Sequence, residues 1–260
     1  MIFDTNFLVF IIDFIFHRNN KTDVNFLVEF DQFLSWITHC SVNTKLNATE
    51  ILYKNEINPF NRLPNGRSVS LIHNSDFFFK YKKHRSINYR REVKKRIDKN
   101  LIRHKVNGND IIKLRTIVNP WGKKKGPSSE DLSLILLALR ESNNTCYPCI
   151  IVTEDTDLRT SIEKKIHKQP NFVSSNGSTL NTKNLISMGF LNYLLSIYND
   201  CKFDYIDELA KFYDINQAKF IKKLSDSDTL KGKLRLSNSS AADIASIMRI
   251  KLERRLRLHA

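Results

Sequence analysis

Cys149 to Asp157 reads CIIVTEDTD, a β-compatible run (CIIVT) followed at once by the acid-rich EDTD. A second apolar, β-compatible stretch spans Ile2 to Phe10 around one acid, Asp4. Buried strands that end in carboxylates point to a parallel sheet with its chemistry at one edge. Working outward, Val24, Phe26, Leu27, Phe30, Phe33, Leu34 and Ile37 recur at helical spacing. Residues 42 to 46 suit a short strand. NATEILYKNEI, from Asn47, reads as a helix with Asn47 as N-cap and Glu50 at its third position. DLSLILLALR, residues 131 to 140, is apolar almost all round and therefore a buried helix. Alternating strands and helices predict an α/β fold with a site at the carboxyl edge of the sheet.

Asp4, Glu50, Asp131 and Asp155 each begin or end a buried element, and Asp157 follows two residues after the last. Buried runs normally exclude unpaired charge. If the strands are neighbours, these side chains meet, and carboxylates without adjacent bases repel unless a hard cation lies among them. Oxygen-only ligation selects Mg²⁺ or Mn²⁺. Glu56 competes with Glu50 for the second acidic position.

These stretches carry a family resemblance. MIFDTNFLV, with Asp-Thr-Asn after an apolar strand, looks like the opening of PIN-domain nucleases. VNTKLNATEI is similar to their second strand and following helix, SSEDLSLILLAL resembles the motif in which an Asp opens a buried helix, and IIVTEDTDLR resembles the Thr-x-Asp-x-Asp-Leu strand end. The resemblance covers residues 1 to 57 and 119 to 186. It implies a PIN-like central parallel sheet flanked by helices and a metal-dependent phosphodiesterase site. Asp4, Glu50, Asp131 and Asp155 would hold one or two Mg²⁺ or Mn²⁺ ions and act in catalysis. Asp157 would assist as a further metal ligand, and Asn6 and Thr153 would orient the ligands.

The chain of 260 residues carries 42 Lys+Arg against 27 Asp+Glu, a formal charge of +15, which predicts a polyanionic partner, nucleic acid by default. The excess is clustered. Between Lys80 and Lys105 lie twelve basic residues against Glu92 and Asp98, among them Lys82, Lys83, Arg85, Arg90, Arg91, Lys94 and Lys95. Phe77, Phe78, Phe79, Tyr81 and Tyr89 are interleaved with them, which suits stacking on unpaired bases beside phosphate contacts. A solvated helix docked on the core through its Phe cluster is the competing reading. Lys123, Lys124 and Lys125 form a second basic loop just before Asp131, flanked by Gly122 and Gly126. Cys146 and Cys149 make a CxxC, read either as half of a zinc site or as small apolar residues leading into a strand. No P-loop, GxGxxG or Ser/His/Asp arrangement is present.

Residues 1 to 186 are expected to form the nuclease-like domain, with a basic insertion at about 58 to 118. The polar SSNGS at 174 to 178 closes the part with strand character, and residues after about 183 read as helical, giving a helical region over 187 to 260. In it, Leu209, Ala210, Tyr213, Ile215, Phe220 and Leu224 match helix-turn-helix spacing, although Asp214 stands where the turn usually wants Gly. These helices are a candidate surface for a second copy or a protein partner. The first sixteen residues lack a basic lead, are broken by Asp4 and Asp13, and are too short to span a bilayer. A soluble, cytoplasmic protein without a membrane partner is expected. The expected function is a metal-dependent endonuclease, with RNA preferred over DNA on the habit of the resembled family. A structure-specific DNA nuclease and a non-catalytic nucleic-acid-binding regulator acting through the C-terminal helices are the alternatives.

Overall fold

The computed structural model describes residues 1–18, 26–40, 45–58, 87–120, 126–145, 147–190 and 193. Their centre is a five-stranded parallel sheet built from β1 (Ile2–Phe3), β2 (Leu46–Thr49), β3 (Leu101–His104), β4 (Cys149–Val152) and β7 (Leu185–Met188). The spatial order is β3-β2-β1-β4-β7. Ile2 pairs with Asn47 on one side and with Ile151 on the other, which fixes β1 at the centre. Strands β5 (Asn171–Val173) and β6 (Thr179–Asn181) form a separate antiparallel hairpin. Parallel neighbours cannot be joined by tight turns, so helices carry each crossover. They are α1 (Thr5–Arg18), α2 (Phe26–Cys40), α3 (Glu50–Leu52), α4 (Ile87–Lys99), α5 (Gly108–Val118), α6 (Ser129–Thr145) and α7 (Thr156–Lys164).

The α/β prediction holds, with several corrections to the elements. The run Ile2 to Phe10 is not one strand: the sheet ladder ends at Phe3, Asp4 N donates to Val152 O at 3.1 Å, and Phe7 N then donates to Asp4 O at 3.0 Å to open α1. A run apolar on every side has no period to distinguish the two states. Every residue from Phe7 to Phe16 is under 5% exposed, as suits a helix enclosed on all sides. Asn47 lies inside β2 and is not a helix cap. Thr49 takes that role, its Oγ1 accepting from Leu52 N at 3.1 Å. Strand character also continues past the SSNGS turn, through β6 and β7, so the chain is not helical from 183.

Part of the expected insertion belongs to the sheet. β3 pairs with β2 over four residues, Leu46 with Leu101 through Thr49 with His104. Val93 and Ile97 of α4 and Leu114 and Val118 of α5 are buried in the common core. Residues 87–118 are thus a strand with its two flanking helices rather than an appendage. The aromatic-rich start of the insertion, Lys82, Lys83, Arg85, the loop Lys123–Lys125, Cys146 and the helix-turn-helix segment lie outside the described residues.

Aromatic packing ties the end of the described chain to its beginning. Phe3 and Phe7 stack at 4.8 Å, Phe7 meets Phe190 edge-on at 5.3 Å, and Tyr193 meets Phe3 at 5.5 Å. Each such ring contributes about 2 kcal/mol through burial, enough to seat the start of α1 firmly beneath the edge where Asp4 emerges.

Candidate metal and phosphate site

Strand β1 leads by its crossover toward β2 and β3, whereas β4 leads toward β7. The order therefore reverses between β1 and β4, and the carboxyl ends of two such strands splay apart to leave a crevice. Asp4 directly follows β1 and Thr153 directly follows β4. Helix α6 enters the same edge with its N-terminal end, which favours anionic groups there.

Asp4 is 3% exposed. Its Oδ2 accepts from Thr153 Oγ1 at 2.8 Å and from Asn6 Nδ2 at 3.3 Å. Thr153 Oγ1 also accepts from Asp155 N at 3.0 Å, so one hydroxyl locks the end of β4 to the end of β1. Asn6 and Thr153 both hold the same oxygen of Asp4. Its other oxygen takes no hydrogen bond among the described residues.

Asp131 and Asp155 reach this edge by being helix caps. Asp131 N donates to Ser128 Oγ at 3.1 Å and Asp131 Oδ2 accepts from Ser128 N at 2.8 Å, a reciprocal capping box. Asp155 is the N-cap of α7, its Oδ1 accepting from Leu158 N at 2.9 Å. Each thus spends one oxygen locally. Asp157, in the first turn of α7, is exposed.

Glu50 departs from its expected place. It occupies the first position of α3, with its carboxylate 4.0 Å from Lys54 Nζ and its side chain 34% exposed. Glu56 is the acid that senses Asp4 and Asp131. The cause is backbone geometry: after Leu52 the helix widens into a π turn, Tyr53–Ile57, which alters the angular register of everything beyond it. On a regular helix, six residues separate two side chains by about 240°, so no ordinary periodicity reveals which acid faces inward. The support beneath is polar and specific. Thr49 Oγ1 lies 2.6 Å from Ser133 Oγ, and Asn55 Nδ2 donates to Glu130 Oε1 at 2.5 Å. These bonds fasten the α3 and π-turn segment to the start of α6.

The acids perturb one another. Burial first, then the charge of Asp131, raises the Asp4 carboxyl; the Thr153 bond opposes, Asp155 adds, the Asn6 bond opposes, and the result is about 7. Burial, then Asp4, raises Glu56, with the Thr5 hydroxyl opposing and Asp131 and Glu130 adding, to about 8. Asp131 is raised by burial and then by Asp155, against its hydrogen bonding with Ser128. Burial together with neighbouring acids raises a carboxyl in this way because both disfavour its charged form. Glu130 joins the set and was not anticipated; its position beside Asp131 in SSED was the available signal.

The donor set fits a hard divalent cation in kind, being oxygen only and rich in negative charge. As they stand, no three His, Cys, Asp or Glu side chains among the described residues converge tightly enough to cage an ion.

The expected nucleic-acid contacts divide. Lys94 Nζ bonds Asp98 and the Tyr53 hydroxyl, while the Arg103 guanidinium stacks 4.5 Å over the Tyr53 ring. Lys94 is therefore committed to joining α4 to the π turn. Arg96 is similarly spent on Asp31 and Glu92. Among the described residues Lys95 pairs only with Glu92 at the surface and Arg91 is exposed, so neither is committed to the described core. Arg90 lies in α4, its side chain outside the described part. Cys149 is buried at the start of β4.

No helix among the described residues is long and apolar enough to cross a membrane. Comparison with protein-family models, with curated proteins and with solved structures finds no match.

Proposed function

We propose that this chain is a PIN-like, metal-dependent endonuclease acting on RNA in preference to DNA, in a soluble, cytoplasmic setting. The observation that carries the reading is the geometry at the crevice between β1 and β4, where the Thr153 hydroxyl joins buried Asp4 to the Asp155 backbone, with Asp131 and Glu56 near enough to raise or be raised by the same acids. Asp4, Glu56, Asp131 and Asp155 would hold Mg²⁺ or Mn²⁺. Such an ion, when bound, lowers the pKa of water to make a nucleophile and offsets charge on phosphate oxygens. The residues supply the rest. Thr153 and Asn6 hold Asp4 in one orientation, Ser128 N does so for the Asp131 carboxylate, and burial shields Asp4 from water. The formal charge of +15 supplies the attraction for a polyanion. The preference for RNA rests on the family resemblance alone.

Incubation of the pure chain with labelled RNA and DNA, with Mn²⁺ and with EDTA, tests the proposal. Cutting that needs metal and is lost in Asp131→Asn is the expected result; full activity in that variant removes the site. A second reading has its own support, because Asp131 and Asp155 both already serve as helix caps. On that reading the acids are structural and the protein is a non-catalytic regulator. Tight sequence-specific duplex binding without cutting would select it.

A further inference from the structure

A cleft of about 350 Å³ opens where the start of α5, the second half of α6 and the β5–β6 hairpin meet. It is separate from the carboxylate crevice: Arg140 follows Asp131 by nine residues on α6, about 13 Å along the axis. Buried Leu136 and Leu180 supply apolar surface, and Asn107, Asp110, Arg140 and Asn176 supply polar groups.

The local hydrogen bonds decide what these polar groups can offer. Asn107 Oδ1 accepts from Asn109 N at 2.9 Å, and Asn176 Oδ1 accepts from Ser178 N at 3.1 Å. A backbone N–H only donates, so each bond fixes the amide oxygen on that side and leaves each Nδ2 as a donor without a bond among the described residues. Arg140 is anchored through Nη1 to Lys105 O at 2.7 Å. That leaves its Nε–Nη2 edge, the fork suited to two adjacent acceptors. Asp110 Oδ1 accepts from both Ser175 N and Ser175 Oγ at 2.6 Å, leaving Oδ2 as an acceptor. The cleft thus offers several donors and one carboxylate oxygen, with Arg140 and Asp110 cancelling in charge.

A free anion would meet Asp110 unfavourably. A planar heterocycle with adjacent acceptors on one edge and donors on another meets every group, and the volume is near the low end for small-molecule sites. Guanine has this pattern, O6 and N7 being the acceptor pair that a guanidinium fork reads. We propose that this cleft is a nucleobase subsite selective for guanine, with Arg140 and the asparagine amides donating to O6 and N7 and Asp110 accepting from the N1–H and N2–H edge. The assignment stands on the cleft; the nuclease reading enters only in making a strand the natural source of the base.

Calorimetric titration of the full chain in EDTA with GMP, AMP, CMP, UMP and ribose 5-phosphate tests this without any chemistry being read. GMP should bind at least tenfold more tightly than the other nucleotides and ribose 5-phosphate. Asn176→Asp keeps the oxygen that accepts from Ser178 N but replaces the donor with negative charge, and should weaken GMP at least tenfold. Asp110→Asn keeps an acceptor for Ser175 and should abolish the preference for GMP. Arg140→Gln, scored by the same titration after a melting curve, covers failure of either variant to fold. Equal affinity for the four nucleotides, ribose 5-phosphate binding as tightly as GMP, or no binding at all would overturn the proposal. Because metal is absent throughout, loss of the nuclease reading would leave these outcomes unaffected.

Discussion

The two acids of the α3 and π-turn segment separate cleanly by substitution. Glu56→Gln removes a carboxylate that senses Asp4 and Asp131 and should lower metal-dependent cutting by about a hundredfold or more, a loss of roughly 3 kcal/mol in transition-state stabilisation. Glu50→Gln removes a solvated partner of Lys54 and should change the rate by less than about threefold, since exposed pairs contribute little. Single-turnover rates of both variants check this, and the opposite ranking would restore Glu50 to the site. Asp4 and Glu56 also set a pH dependence. Their folded values, about 7 and about 8, lie above the ordinary 3.8 and 4.5, so the protonated forms favour the folded state. That stability is fully present below about pH 4 and is lost as pH rises through 7 and 8. In EDTA the melting temperature should therefore fall between pH 5 and 8 from this contribution, and Asp4→Asn should flatten the fall. An unchanged pH profile in the variant would remove Asp4 from the coupled set.

Two elements offer tests of how the fold is joined. At the end of β7, Gly189 faces the Glu154 carboxylate: a Cβ there would stand 2.8 Å from Oε1. That oxygen is itself held by Phe190 N at 2.7 Å, and Glu154 is 6% exposed, so it cannot step aside without breaking a buried bond. Gly189→Ala should destabilise by about 1–3 kcal/mol, read as a lower denaturation midpoint with an unchanged slope. Wild-type stability in this variant would mean that the junction yields freely. Helix α4 gives the second test. Lys94 and Arg96 are bound within the fold, whereas Arg91 and Lys95 are not committed to the described core. Reversing Arg91 and Lys95 should flatten the dependence of log affinity for RNA on log salt, the slope changing by about 0.7 for each phosphate of a single strand that is no longer neutralised. Lys94→Ala should chiefly lower stability instead. An unchanged salt slope in the double reversal would confine the exposed face of α4 to solvent.

For the molecule as a whole, bound metal and folding are one equilibrium. If Mn²⁺ binds only the folded chain, free metal a hundredfold above its dissociation constant stabilises by about 2.7 kcal/mol, about 5–10 °C for a chain of this size. Melting curves with Mn²⁺ and with EDTA should show that rise in wild type and a reduced one in Asp4→Asn. An equal shift in both would exclude Asp4 as a ligand.

Composition and local pattern were sufficient to read the α/β class, the parallel sheet, the buried α6 and the acids that follow β1 and β4, because a strand buried on both faces and a helix apolar all round are properties of short segments. Asn6 and Thr153 came only with the resemblance to a family motif, since nothing in their local pattern alone separates an orienting side chain from an ordinary polar residue. Folding in three dimensions decided the rest. Whether residues 5 to 10 extend β1 or begin α1 depended on where pairing with β4 stops, since their apolar character fits either. Whether Glu50 or Glu56 turns inward depended on a π turn held by Thr49, Ser133, Asn55 and Glu130, contacts made across more than seventy residues of chain. Whether Lys94 binds a ligand or an internal partner depended on Tyr53 and Asp98 meeting it. A charge visible in the sequence has its type fixed locally, but its partner, and hence its availability, is set by which elements pack beside it.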